Sequence, residues 1–197
     1  LWLATEAGLV KVFDLDLRSI PSRLPELGGM VFAAAPAPAG KIWVGHTEGL
    51  SAVEGGRIRR VPLGAADAAV WALLPLPGGE LLAGTPRGLV HVSAEGARPL
   101  PELPVAGRRR VFGLAREPDG TIWATTIDGI VSFRWDARAR APVDVVPVRE
   151  VGGEPVGEAR AIAHGADGGL WIGTDGKGLL RRVAGRFRRV GEESGVP

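Results

Sequence analysis

The three histidines are the residues best suited to acid–base or metal chemistry, but their spacing does not form a motif. His46, His91 and His164 fall at different positions of different segments, so we expect no shared metal ion or catalytic base. No serine lies in a G-x-S-x-G elbow, and the chain has no Cys, which removes disulfides and thiolate metal sites. The residue types therefore predict no catalytic residue, no bound metal and no cofactor.

Short polar segments flanked by glycine are the remaining candidates for a binding site. Arg87, Asp128, Asp175 and Lys177 lie in such segments. Loops on a rigid scaffold often carry binding residues, so we expect these four to form the polar rim of a ligand site. The alternative is that they are ordinary loop residues.

Composition restricts the classes of partner. With 24 basic and 22 acidic residues, the net charge of +2 provides little attraction for nucleic acid, and none is expected as a partner. The most apolar stretches, 30–39 and 68–77, are interrupted by proline and fall short of the roughly 20 residues of a spanning helix, so no membrane contact is expected. The chain begins with Leu1 rather than Met, and we interpret it as part of a longer protein.

A five-residue segment recurs five times and indicates how these residues are positioned. Its copies are 1–5, 42–46, 81–85, 122–126 and 170–174. Their second residues are Trp2, Trp43, Leu82, Trp123 and Trp171, at steps of 41, 39, 41 and 48. A period near 40 is typical of four-stranded propeller blades, and also of paired helices in HEAT-type repeats.

Turn residues favour strands over helices. Asp119-Gly120 and Asp167-Gly168 precede two of the copies, and Asp-Gly is typical of tight hairpins. Gly and Pro also interrupt every stretch of about ten residues, which disfavours helices.

The sequence therefore predicts an all-β fold, a β-propeller of four-stranded antiparallel blades with about five repeat units. We expect one partial propeller with units at 1–28, 29–68, 69–107, 108–157 and 158–197, forming an arc of a larger, seven-bladed ring. The alternative is that five units close on themselves.

The recurring second residues are predicted to be structural blade core. One large apolar residue per blade at a fixed strand position suits packing between sheets better than a single ligand site, although a sugar-stacking surface or a cofactor floor is the alternative. An aligned position in the preceding strand is always small: it holds Ala33, Ala72, Gly113 and Ala161. We interpret these four as the innermost strands, where space near the axis is least.

The segment at 166–179 resembles one known family. Its residues, A-D-G-G-L-W-I-G-T-D-G-K-G-L, are similar to the two-component regulator propeller repeat. The resemblance extends over the whole chain, most loosely around Leu82 and the insertion at 135–157. It implies an extracytoplasmic, periplasmic sensor domain of a bacterial membrane receptor, commonly a hybrid histidine kinase, whose remaining blades and output domains lie elsewhere in the receptor.

The function expected from this resemblance is ligand sensing or signal transmission in two-component signal transduction, without catalysis. We expect the partner to be a small molecule or glycan, or another protein, and a homodimer is also considered. One alternative is a protein-interaction scaffold with no small-molecule site. Another is an enzyme of the lactonase or lyase type.

Overall fold

A computed structural model of the chain describes residues 2–5, 8–13, 16–19, 29–64, 69–101, 103, 110–165 and 167–190, with side chains from residue 29 onward. Strands dominate, and the helical segments among these residues are short 3₁₀ turns such as Pro38–Gly40 and Pro77–Gly79. The prediction of an all-β fold is confirmed. None of the described helical segments has the length and apolar character needed to cross a lipid bilayer.

Most strands belong to four-stranded antiparallel sheets in which sequence neighbours pair. Their bounds are β4–β7 at Val31–Pro36, Ile42–His46, Gly49–Glu54 and Arg57–Val61; β8–β11 at Ala72–Pro75, Leu81–Thr85, Gly88–Ser93 and Gly96–Pro99; β12–β15 at Val111–Arg116, Ile122–Thr126, Gly129–Asp136 and Ala141–Val148; and β18–β21 at Ala159–His164, Leu170–Thr174, Leu179–Val183 and Arg186–Val190. Each sheet is an antiparallel meander of the kind that forms a propeller blade.

Two smaller sheets complete the described strands. The first contains β1 (Trp2–Thr5), β2 (Gly8–Phe13) and β3 (Asp16–Ser19), without the strand that starts the later sheets. The insertion at 135–157 lengthens β14 and β15 to eight residues each and adds a hairpin of β16 (Glu150–Val151) and β17 (Glu154–Pro155). The extra residues therefore extend one blade at its outer side.

The chain divides into two compact units, residues 1–100 and 101–197. Within the first, β4 contacts β8, and within the second, β12 contacts β18, so the first strands of successive sheets pack together. This is the arrangement expected if the first strand of each blade is the innermost one.

The predicted core residues differ in how far their side chains are buried. Leu82 is fully buried and Trp123 is 4 % exposed. Trp43 is half-buried against the cluster that includes Leu50 and Leu81, and Trp171 is half-buried beneath a guanidinium group. Trp2 lies in β1, and its side chain is outside the described residues. The residue type alone therefore does not set the burial.

A small residue on each first strand faces a partner on the second strand, and each such pair contains one glycine. The register pairs are Ala33 with Gly45, Ala72 with Gly84, Gly113 with Thr125, and Ala161 with Gly173. In the third pair the glycine lies on the first strand instead of the second. A Cβ atom at Gly113 would lie 2.8 Å from Thr125 Oγ1, so the larger threonine fits only because position 113 has no side chain.

The pair of Gly113 and Thr125 leads to a testable expectation. Gly113→Ala should lower the free energy of unfolding by about 1–3 kcal/mol, because its methyl group would also meet Ile162 Cγ2 at 2.8 Å. Adding Thr125→Gly should restore part of the loss, so the double variant is less destabilised than the sum of the single variants. Urea unfolding followed by tryptophan fluorescence measures this cycle. Strictly additive losses would contradict the steric explanation.

Candidate functional site

The last residue of the recurring segment closes the turn that follows it. Thr85 Oγ1 accepts a hydrogen bond from Arg87 N at 3.0 Å and donates one to Gly88 O at 2.9 Å. Thr126 Oγ1 accepts from Asp128 N at 3.3 Å and donates to Gly129 O at 3.0 Å. These hydroxyl groups make the local hydrogen bonds that shape short turns. They hold the turns that carry the predicted rim residues.

His46 takes the place of this threonine in one blade. Its Nδ1 accepts a hydrogen bond from Glu48 N at 3.3 Å, so the proton is on Nε2, which lies 3.0 Å from Ser51 Oγ and donates to it. The ring is fully buried. His46 therefore has the structural role that threonine has in the other turns.

The other two histidines also have hydrogen-bond partners, one within its own sheet and one on a neighbouring sheet. His91 Nε2 lies 2.9 Å from Glu80 Oε2, and His164 Nε2 lies 3.0 Å from Arg116 O. In the part of the chain that the structure describes, no group of three or more His, Asp or Glu residues is arranged to hold a metal ion.

The four predicted rim residues are divided between the two units. Arg87 lies exposed in the β9–β10 turn of the first unit. Asp128 lies in the β13–β14 turn, and Asp175 and Lys177 lie exposed in the β19–β20 turn, all in the second unit. Asp128 Oδ2 is buried and has no hydrogen-bond partner among the described residues. The structure thus brings three of the predicted residues to the same end of two adjacent sheets.

An arginine of the outermost strand, β21, forms hydrogen bonds that hold the β19–β20 turn in place. Arg189 Nη1 donates to Lys177 O at 2.6 Å, and its Nη2 donates to Pro155 O at 3.0 Å. In the first unit Arg60 Nη2 contacts Glu48 O at 2.6 Å in the same way. An arginine on the fourth strand therefore holds the carbonyl of the turn between the second and third strands in both units.

A bulge near the start of the first strand turns one side chain out of the regular alternation. The register shifts occur between Val31 and Ala33, Val111 and Gly113, and Ala159 and Ala161. The bulged residues are Phe32, Phe112 and Arg160. Bulges of this kind re-aim side chains and are frequent next to binding and active sites.

Two of these bulged residues contact each other across adjacent sheets of the second unit. The Arg160 guanidinium carbon lies 4.7 Å from the centroid of the Phe112 ring, a cation–π geometry. Arg160 Nη2 also lies 2.8 Å from Glu158 Oε1 and 3.5 Å from Asp175 Oδ2. We call Phe112, Glu158, Arg160 and Asp175 the turn-end cluster. It combines an aromatic face, one cation and two carboxylates.

Sequence reasoning found only Asp175 of the turn-end cluster. A signal for Phe112 and Arg160 was present, because the aligned residues before the small inner position are Phe32, Trp71, Phe112 and Arg160. Large residues there are unexpected in a crowded inner strand. The bulge, which cannot be inferred from alternation, explains how Phe32, Phe112 and Arg160 are accommodated.

The opposite end of the same sheets contains structural contacts. Asp119 Oδ1 accepts from Thr121 N at 2.8 Å, and Asp167 Oδ1 accepts from Gly169 N at 3.1 Å. These backbone hydrogen bonds are the main cause of a lowered pKa at both carboxyl groups; a bond from Thr121 Oγ1 adds to it at Asp119, and one from Arg181 at Asp167. Both aspartates therefore fold back onto their own turns, as Asp side chains in turns commonly do.

Comparison with known proteins identifies the class of fold. No protein-family model matches the chain, and no curated protein matches its sequence. Virginiamycin B lyase from Staphylococcus aureus has a similar structure, with a TM-score of 0.70 at 15 % identity, over 100 % of this chain and 71 % of the lyase. The extracellular domain of a putative hybrid two-component system from B. thetaiotaomicron is also similar, with a TM-score of 0.68 at 17 % identity, over 96 % of this chain and 27 % of that one.

A gluconolactonase from Xanthomonas campestris is a third similar structure, with a TM-score of 0.61 at 15 % identity, over 80 % of this chain and 60 % of that one. Together with the antiparallel four-stranded sheets, these similarities confirm the predicted β-propeller fold. The chain spans about a quarter of the length of the two-component domain.

The expectation that the chain is not an enzyme is wrong as stated, because several of the similar structures are enzymes: virginiamycin B lyase, a streptogramin B lyase and gluconolactonases. The physical reason lies in the scaffold. A propeller carries functional groups on separate loops, so catalytic residues need not form a recognisable linear motif. The missing motifs were therefore too weak a basis for excluding catalysis.

Proposed function

We propose that this chain is the ligand-binding part of an extracytoplasmic sensor propeller in a bacterial membrane receptor. The turn-end cluster is the proposed contact surface, together with Lys177 in the same turn as Asp175 and Asp128 in the β13–β14 turn. The observation that carries the proposal is the pair of bulged residues, Phe112 and Arg160, stacked at 4.7 Å. Bulges occur at this position in three of the described sheets, and in the second unit they place an aromatic ring beside a guanidinium group.

The chemistry of the cluster favours a glycan or another polyhydroxylated small molecule. Aromatic faces pack against the apolar faces of sugars, and carboxylates such as those of Glu158 and Asp175 accept hydrogen bonds from hydroxyl groups. Asp128 Oδ2, buried without a partner among the described residues, adds an acceptor. An unsatisfied buried acceptor is costly, so a hydroxyl donor from a ligand would be bound favourably there.

The sensor assignment and the periplasmic location rest on two similarities. The repeat at 166–179 resembles the two-component regulator propeller family, and one similar structure is the extracellular domain of a putative hybrid two-component system. In such a receptor, the rest of the propeller and the output domain would receive the binding signal.

Isothermal titration calorimetry of the 197-residue chain against neutral and acidic oligosaccharides tests the proposal. Arg160→Ala should weaken binding at least tenfold, since it removes the cation and frees the Phe112 ring from its stacked position. Arg134→Ala is the matched control, because Arg134 contacts Asp119 at the opposite end of the sheets. It should bind as the unmodified chain does.

Two outcomes would contradict the proposal. Equal binding by Arg160→Ala and the unmodified chain would remove the turn-end cluster as the site. Turnover of gluconolactone or quinupristin, the latter present in one similar lyase structure, would assign an enzyme instead of a sensor.

A further inference from the structure

Two outer strands have nearly the same sequence and each lines an open cavity. β7 reads R-I-R-R-V and β21 reads R-F-R-R-V. The cavity at β7 has a volume of about 460 Å³, and the one at β21 has a volume of about 780 Å³. We call them the β7 cavity and the β21 cavity. They form a matched pair in which Arg57 and Arg59 of one cavity correspond to Arg186 and Arg188 of the other, while the remaining lining residues differ.

One difference between the cavities is a carboxylate, and another is that Arg181 lines the β21 cavity where Ala52 lines the β7 cavity. In the β7 cavity Glu54 pairs in register with Arg57 and lies 3.2 Å from Lys41 Nζ. In the β21 cavity the corresponding register partner of Arg186 is Val183. The β21 cavity is lined by Arg181, Val183, Ala184, Arg186, Arg188, Arg189 and Val190, so none of the described residues that line it is acidic.

The four arginines of the β21 cavity are unequally neutralised. Arg181 forms an ion pair with Asp167, and Arg189 Nε lies 3.4 Å from Glu154 Oε2. Arg186 and Arg188 are exposed and form no ion pair with any described residue. Two positive charges of the cavity therefore have no counter-charge among the residues that the structure describes.

We propose that the β21 cavity binds a small polyanion, a sugar that carries at least two sulfate or phosphate groups. Arg186 and Arg188 are two residues apart on one strand, so they lie on the same side at a spacing of about 7 Å. Guanidinium groups bind sulfate and phosphate oxygens in pairs of parallel hydrogen bonds. The cavity volume is in the range of sites for small ligands. This site shares no residue with the turn-end cluster, and the proposal does not depend on the function proposed for that cluster.

Titration calorimetry with two ligands tests the site: a trisulfated heparin disaccharide and fructose 1,6-bisphosphate. Binding is expected with at least one of them, and the tighter ligand identifies the anion as sulfate or phosphate. Arg186→Ser with Arg188→Ser should weaken it at least tenfold. Raising the salt from about 50 to about 200 mM should also weaken it, because the attraction is electrostatic.

Two further variants separate this site from nonspecific attraction. Arg57→Ser with Arg59→Ser removes the equivalent arginines of the β7 cavity and should change the affinity less than twofold. Val183→Glu keeps every arginine but introduces the carboxylate that Glu54 provides in the β7 cavity, and it should weaken binding at least fivefold. Val183 is 49 % exposed, so this change is expected to leave the fold intact. Melting temperatures of all variants check the last point.

Three results would overturn the proposal. The first is no binding of either ligand at low salt. The second is an equal loss of affinity in the β7 and β21 variants, which would indicate general charge attraction. The third is tighter binding of a glutamate-rich peptide than of both sugars, which would assign the cavity to an acidic protein partner.

Discussion

Glu117→Ala is expected to lower the free energy of unfolding by about 2–4 kcal/mol, because it leaves a largely buried arginine without its counter-charge. Arg182 Nη1 donates to both carboxylate oxygens of Glu117, at 2.7 Å to Oε2, and the two side chains are 20 % and 13 % exposed. Trp123 Nε1 donates to the same carboxylate at 2.8 Å. The change therefore removes three hydrogen bonds, two of which join neighbouring sheets, while the third lies within one sheet.

Fluorescence-detected urea unfolding measures this loss directly, since Trp123 is part of the contact. Its indole lies 5.1 Å from the Phe187 ring in an edge-to-face arrangement, and the Arg182 guanidinium lies 5.0 Å from the Trp123 ring. Glu54→Ala is the control, because Glu54 pairs with Lys41 at the surface, where such a pair contributes about 0–1 kcal/mol. A Glu117→Ala loss no larger than that of the control would show that the buried pair does not join the sheets.

Gly45→Ala is the second substitution with a large expected effect, a loss at the upper end of about 1–3 kcal/mol. A Cβ atom at this position would lie 2.7 Å from Val70 O and 2.8 Å from Val70 Cγ1. Val70 is fully buried, and its N–H donates to His46 O at 3.1 Å. The added methyl group can therefore be accommodated only by moving the backbone of the next sheet.

Gly173→Ala is a matched control, because Gly173 occupies the same position of the repeat in the last sheet. A Cβ atom there would lie 3.5 Å from Ala161 Cβ, an ordinary contact. Since alanine restricts the unfolded chain more than glycine does, this variant should be unchanged or more stable by about 0.4–1 kcal/mol. Thermal and urea unfolding of both variants check the comparison. Equal losses would mean that any side chain at this position of the strand is unfavourable, whatever lies across from it.

The predicted repeat agrees closely with the strands that the structure contains. Four of the recurring segments coincide with β5, β9, β13 and β19, from their first residue to their last. The fifth coincides with β1 over residues 2–5. The agreement has a local cause, because Asp-Gly and Gly-Gly turns and the threonine hydrogen bonds act within a few residues of the chain.

The candidate site was predicted less completely. Asp128, Asp175 and Lys177 were expected in adjacent turns because their segments align in the repeat. Phe112 and Arg160 were not expected there, because their position depends on bulges that alternation does not reveal. Residues that act together at this end come from different blades, so their proximity is a property of the packed sheets.

The sequence by itself determined the all-β class, the four-stranded repeat and the ends of its second strands. Those features follow from turn residues and hydrogen bonds between near neighbours. Only the tertiary structure decided which charges are paired. Arg182 meets Glu117 from 65 residues away, whereas Arg186 and Arg188 meet no acid among the described residues. Such pairing depends on how closely two sheets approach, which no local pattern in the chain contains.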